Sequence, residues 1–238
     1  MYRNNNRMLH KTRGIALSYI RYRETSIIAK IYTESFGMQS YIVNSVRSSR
    51  SKSNKIALFQ PLTLLDLVVY HKNKADSLHR ISELKCLYPF HSVPFLVIKS
   101  SLALFLTELL TKCLREEEEN LPLFDFLQRA IVYLDEAESG FENFHLHVLT
   151  QLAFYLGFGL ETTADFSNEL RSNHYPQSPD ASQNLALHSW LTAPFGVVVA
   201  LDRPRRISLL NMLLFFYKIH LDSLGEIKSL DVLHEVLS

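Results

Sequence analysis

Cysteine is nearly absent: the 238-residue chain has two, Cys86 and Cys113, and no CxxC pair. A disulfide scaffold and a four-cysteine zinc site are excluded, and both thiols read as reduced core residues of a cytosolic protein. Long apolar runs are missing as well. The most apolar helical stretch, residues 96–114, is interrupted by Lys99, Glu108 and Lys112, so no charge-free segment reaches membrane length. The opening Met1-Tyr2-Arg3-Asn4-Asn5-Asn6-Arg7 is polar and leads into no apolar signal core. Residues 1–7 are expected to form an untethered extension.

Catalytic signatures are absent too. There is no GxSxG, no P-loop and no HExxH. His145 and His147 form an HxH pair, but on a helix they point about 200° apart and cannot share a metal ion. Asp165, Glu169 and Asp180 have no fixed spacing and read as solvated loop charges, and Asp66 reads as structural. With no convergent nucleophile, base and orienting group, the chain is expected to be a binding protein, not an enzyme, and to carry no cofactor.

What is present is a charge asymmetry. The net charge is only +1, yet residues 1–85 carry 15 Lys/Arg against 5 Asp/Glu, a balance of +10. Residues 86–238 carry the other 10 Lys/Arg against 19 Asp/Glu, a balance of −9. A basic front and an acidic back imply a polyanionic partner for the front.

The basic part reads as consecutive strands. Runs rich in Ile, Val, Thr and Tyr span residues 12–20, 25–33, 38–46 and 62–70, and a fifth lies near 78–84. Glu34-Ser35-Phe36-Gly37 suits a hairpin. Residues 47–55 (RSSRSKSNK) hold no apolar residue and no acid, and they read as a cationic loop. Five short strands with basic connections predict a small Greek-key barrel of the OB type, which binds single strands on its strand face and loops. Alternation places Ile15, Leu17 and Tyr19 inward, and Ala16 and Ser18 outward. In the second strand Ile27, Ala29 and Ile31 face the core, and Lys30 and Tyr32 face the other way. Tyr41 is expected beside Lys30 and Tyr32 on one outer surface, which suits phosphate contact and base stacking. The candidate DNA-binding residues are Lys11, Arg13, Arg21, Arg23, Lys30, Tyr32, Tyr41, Arg47, Arg50, Lys52 and Lys55.

Beyond residue 86 the period changes to helical. Residues 94–114 carry Phe95, Ile98, Leu102, Phe105 and Leu109 at helical spacing. Glu116–Glu119 reads as a solvated linker. Helices are expected at 122–138, at 143–157 with Asn143 as N-cap, at 208–221 through the centre of the domain, and at 230–237 with Ser229 as cap. Residues 158–205 look irregular and held by apolar packing around Trp190, Leu191 and Phe195. The expected architecture is α+β: an N-terminal OB-fold β-barrel, residues 1–85, then a mostly α-helical domain, residues 86–238, with an irregular module at about 158–205.

At the residue level the front of the chain resembles the RecO family of bacterial recombination mediators. Lys11-Thr12-Arg13-Gly14-Ile15 is similar to that family's opening strand, and Tyr32-Thr33-Glu34-Ser35-Phe36-Gly37 to its hairpin. Residues 42–50 followed by Phe59-Gln60-Pro61-Leu62 resemble its third strand, basic loop and return strand. The resemblance implies binding of single- and double-stranded DNA, strand annealing, action with RecR, and help for RecA loading onto DNA coated by single-strand-binding protein. It also implies a cytoplasmic, nucleoid-associated protein with no membrane partner. The family often carries a cysteine-rich zinc module at 158–205; with no Cys after Cys113, and only His174 and His188 nearby, that module is expected to be degenerate and zinc-free. A receptor for the acidic tail of single-strand-binding protein needs an apolar slot with a cationic rim. The candidate cations are Lys99, Lys112, Arg115 and Arg129. Charge and barrel leave open an RNA-binding OB protein and, less well, a strand-processing nuclease.

Overall fold

The computed structural model describes residues 8–44, 46, 55–71 and 78–237. The chain divides into two compact units, Met1–Phe90 with Leu114–Gln128, and His91–Cys113 with Arg129–Ser238. Residues 114–128 therefore return to the first unit after the chain has left it.

The first unit is a closed five-stranded barrel. Its strands are β1 (Met8–Tyr22), β2 (Ser26–Thr33), β3 (Gly37–Val43), β4 (Leu64–His71) and β5 (His79–Tyr88), in the order β1-β2-β3-β5-β4. Closure is by a short parallel pairing, Tyr41 to His79 and Ile42 to Arg80; every other pair is antiparallel. The interior is filled by Ile27, Ala29, Ile31, Tyr41, Val43, Leu65, Leu67 and Val69. Burying an Ile or Leu side chain fully is worth about 1.5–3 kcal/mol, so this cluster is the main stabilising element of the barrel.

β1 departs from the expected alternation. Ala16 faces the interior, whereas Ile15 lies across from Tyr32 on the outer side. The reason is steric. A Cβ on Gly14 would meet Ile31 Cγ2 at 2.7 Å and Leu67 Cδ1 at 2.8 Å. Large side chains from β2 and β4 fill the interior, so the inward positions of β1 must be small. The register then shifts between Ala16 and Ser18, and Tyr19 ends up 39% exposed rather than in the core.

Residues 114–128 lie along the β2–β3 hairpin. Met38 N donates to Glu116 O at 2.9 Å. Gly37 has φ +59°, and a Cβ there would run into the backbone of Glu116 and Glu118. Glycine is thus required twice over, by conformation and by close approach. The acidic run is a packed strap in its backbone, although its four side chains are exposed.

The second unit is helical. α1 (Val97–Cys113), the C-terminal part of α2 (Leu121–Glu136), α3 (Phe144–Tyr155), α4 (Thr163–Ser172), α5 (Ala181–Thr192), α6 (Arg203–His220) and α7 (Ser229–Val236) follow in order. α3 and α6 pack together, and the buried Tyr217 hydroxyl donates to Leu149 O at 2.7 Å. Phe95 lies before α1 and is 74% exposed, unlike Leu102, Phe105 and Leu109.

The region read as irregular contains two capped helices. Thr162 and Asp165 form a capping box for α4, and Asp180 and Gln183 form one for α5. Asp165 and Asp180 are therefore caps, not free loop charges, and Glu169 pairs with His220 at 2.6 Å. Asn143 holds the N-cap position of α3 as expected but its side chain makes no capping bond, and at α7 the cap expected from Ser229 is replaced. Asn143 instead accepts from Arg206 Nε and donates to Val199 O. Ser229 donates its N and Oγ to the Glu108 carboxylate, which also accepts from Lys228 N. Burial alone would raise the Glu108 carboxyl, but these donors and Lys112 outweigh it and bring it down to about 2. A side chain of α1 thus caps α7.

Candidate nucleic-acid interface

Strand register decides which side chains share the outer surface of the barrel, because residues directly opposite in an antiparallel pair point the same way. Ser18 pairs with Lys30, and Lys30 with Ser40. One step along, Ile20 pairs with Ile28, Ile28 with Ile42, and Ile42 with Arg80. Two rows thus cross the strands, one polar with a cation at its centre and one apolar ending in a cation. Ile20 is 64% exposed, Lys30 and Arg80 are exposed, and Ile28 and Ile42 are half-buried. Beside the rows, Arg21 and Arg23 are exposed, and the Arg23 guanidinium lies over the Tyr22 ring at 5.1 Å. Such a surface offers phosphates their counter-charge and bases an apolar bed.

The two tyrosines expected there are elsewhere. Tyr41 lies opposite Ala29, inside the barrel and fully buried. Tyr32 is on the outer side but only 3% exposed, because Phe124 stacks on it at 6.3 Å between centroids. Burial pushes both phenols well up, helped for Tyr32 by the charge of Glu116. Neither ring is open to a base.

Arg13 is committed within the first unit. Its Nε and Nη2 donate to Glu34 at 2.9 and 2.7 Å, and Nη2 also to Asp125 at 3.0 Å. Nη1 donates to Gln128 at 2.7 Å, and the guanidinium lies over the Phe124 ring. Hydrogen bonding to Glu34 raises the Arg13 pKa, and the same bond lowers that of Glu34. Arg13 therefore secures residues 114–128 to the barrel. Lys11, Arg21, Arg23, Lys30 and Lys55 are exposed. Arg47, Arg50 and Lys52 lie outside the described residues. Arg80 and Ile20, absent from the sequence-derived set, are added by the register.

The four cations considered for an acidic tail separate in the same way. Lys99 is 1% exposed. Its ammonium donates to Ser92 Oγ at 2.7 Å and Asp135 O at 2.8 Å, and burial lowers its pKa. Lys112 pairs with Glu108 at 3.2 Å and donates to Glu226 O. Arg115 and Arg129 have exposed side chains. Among the described residues no group of three or more His, Cys, Asp or Glu could hold a metal ion. No helix among them is long and apolar enough to cross a membrane.

Comparison with known proteins agrees along the chain. Residues 8–90 match the family described as Recombination protein O N terminal, and residues 97–231 match Recombination protein O C terminal. The DNA repair protein RecO of Flavobacterium psychrophilum is 38% identical over 241 residues, covering 96% of this chain and 99% of that protein. Its counterpart in Phocaeicola vulgatus is 36% identical over 247 residues, covering 97% and 100%. That of Bacteroides fragilis is 36% identical over 242 residues, covering 96% and 99%. With both family models matched in order and relatives aligned nearly end to end, the chain belongs to the RecO family of DNA repair proteins.

Proposed function

We propose that this protein is a recombination mediator. It binds single- and double-stranded DNA through the barrel, anneals complementary strands and, with RecR, helps RecA load onto DNA coated by single-strand-binding protein. The observation that carries this reading is the pair of rows on the outer barrel surface, where Lys30 and Arg80 flank the accessible Ile20, Ile28 and Ile42. No base is read through a donor–acceptor pattern by such a surface, so binding is sequence-tolerant and strongly salt-dependent. Annealing then follows from neutralising phosphate repulsion between strands, without nucleotide hydrolysis.

The acidic tail of single-strand-binding protein is proposed to meet at least one of the cations Lys112, Arg115 and Arg129, of which Arg115 and Arg129 have exposed side chains. Lys99 leaves this set because its ammonium is enclosed.

The test is a salt titration of the full chain with labelled single-stranded DNA, in competition with RNA of the same sequence. Affinity that falls linearly with the logarithm of salt concentration, and DNA competing at least as well as RNA, supports the reading. Preference for RNA, or a flat salt response, removes it. Adding complementary strands and following duplex formation tests annealing in the same samples.

A further inference from the structure

The HxH pair on α3 divides between two faces of that helix, and each histidine borders its own cavity of about 10 Å³. His147 is accounted for: Gln151 and Ala193 O lie within hydrogen-bond distance, and Trp190 stacks on its ring at 5.8 Å. His145 is not. It is fully buried, and neither Nδ1 nor Nε2 has a hydrogen-bond partner. Buried polar groups without partners are rare, because each costs about 1–3 kcal/mol of lost hydration. The imidazole borders a cavity lined also by Arg203 and Arg206 of α6, His234 of α7, and apolar side chains including Ile207 and Leu210.

The chemistry of that lining selects the occupant. Four of the side chains carry N–H donors, two of them guanidinium groups, and among the described residues no carboxylate lines the cavity. The Arg206 guanidinium already donates to Asn143 Oδ1, Leu237 O and Leu201 O, which fixes its position. The negative charges that act on it, Glu142 and Asp202, lie outside the lining. The volume admits a single small species. A water there would find donors in excess, two of them on fixed guanidinium groups, against at most one lone pair each on His145 and His234 to receive its own protons. A monatomic anion needs only donors, and it also relieves the repulsion between Arg203 and Arg206.

We propose that this cavity is a binding site for a small monovalent anion of chloride size, held between His145 and Arg206 and linking α3, α6 and α7. The site is independent of the barrel surface and of the DNA-binding reading. An anion there attaches the last helix to the two central ones.

The experiment uses the full chain without DNA and compares thermal melting in sodium chloride, bromide and acetate at equal ionic strength. Chloride and bromide should raise Tm by about 3 °C over acetate, with saturation, as for a ligand that binds only the folded state. His145→Phe, which keeps a ring of similar size and removes both nitrogens, should abolish the difference between anions. Should that variant fail to fold, ³⁵Cl line broadening on the unmodified protein, reversed by bromide, gives the same answer. Equal melting in all three salts, no chloride broadening, or an anion effect that persists in the folded variant would each show that the cavity holds water only.

Discussion

The guanidinium of Arg13 lies 2.7 Å from the Glu34 carboxylate, so a cation that net charge assigns to DNA is already paired inside the barrel unit. Both side chains are partly exposed, at 32% and 24%, so the pair itself is worth no more than about 1 kcal/mol. Arg13→Ala also frees Asp125 and Gln128, and it should cost about 2 kcal/mol of stability in denaturant titration. Its effect on DNA affinity should be smaller than that of Lys30→Ala. The folded Glu34 carboxyl titrates below its ordinary value of 4.5 because Arg13 bonds to it. Its stabilising contribution is therefore present above about pH 4.5 and lost as the pH falls through the folded value. Glu34→Gln should flatten that acid limb.

Tyr41→Ala and Tyr32→Ala should each destabilise by about 3–5 kcal/mol, as deletions of buried rings. Tyr41→Phe should be mild in stability and leave DNA affinity unchanged. A loss of affinity in folded Tyr41→Phe would contradict the interior placement of the ring.

How much of this could be read in the chain varies with the physics involved. Strand existence, the inward set Ile27, Ala29 and Ile31, and the helical stripes follow from periodicity alone. Tyr41 faces the interior rather than the expected outer surface because a one-residue choice of register sends every side chain to the other face, and nothing local sets the register of β3. β1 reverses the expected alternation only at Ile15 and Ala16, where the interior has no room for a large side chain; past the register shift Ser18 faces outward as expected. The caps at Thr162, Asp165, Asp180 and Gln183 were legible as T-x-x-D and D-x-x-Q, and those signatures would have located α4 and α5. The Phe124 cover on Tyr32 and the His145 cavity arise from residues far apart in sequence and leave no local trace.

Lys99 and Asp135 form a structural latch. Asp135 accepts from His91 N at 2.8 Å, Ser92 N at 2.8 Å and Val93 N at 2.9 Å, and its carbonyl takes the Lys99 ammonium. Asp135→Ala would leave three backbone donors without their acceptor and should cost about 3–5 kcal/mol. Lys99→Met should be tolerated far better, since it keeps the apolar stem and removes the desolvated charge. Neither substitution should alter affinity for an acidic tail peptide in protein that remains folded. A specific loss with Lys99→Met would return that lysine to the partner surface.

His147 should contribute to acid sensitivity. Burial lowers its pKa to about 4, from 6.5, against a smaller upward effect of Ala193 O. Between about pH 4 and 6.5 the unfolded chain binds a proton that the folded chain refuses, so stability rises with pH across that window. The integrated effect is about 3 kcal/mol. His147→Gln should reduce the slope by this share whatever its effect on stability at pH 7, leaving the part due to His145, which burial lowers to about 3. An unchanged slope from pH 4 to 6.5 would mean that the imidazole is charged in the folded protein.

The strongest test of the barrel surface separates charge from apolar contact. Lys30 and Arg80 lie at the centre of one row and the end of the other, and each should release counterions from a bound phosphate. For single-stranded DNA each contact contributes about 0.7 to the slope of log affinity against log salt, so Lys30→Ala with Arg80→Ala should lower that slope by about 1.4. Ile20 has no charge to neutralise. Ile20→Ser should weaken single-strand binding several-fold at every salt concentration, with the slope unchanged. Duplex DNA keeps its bases stacked inside and should be less sensitive to Ile20→Ser than to the double charge variant. If both variants changed the slope alike, or neither changed affinity, the rows would not be the path of the strand. The strand would then run over other exposed cations of the barrel, such as Lys11, Arg21, Arg23, Lys55 and Lys85.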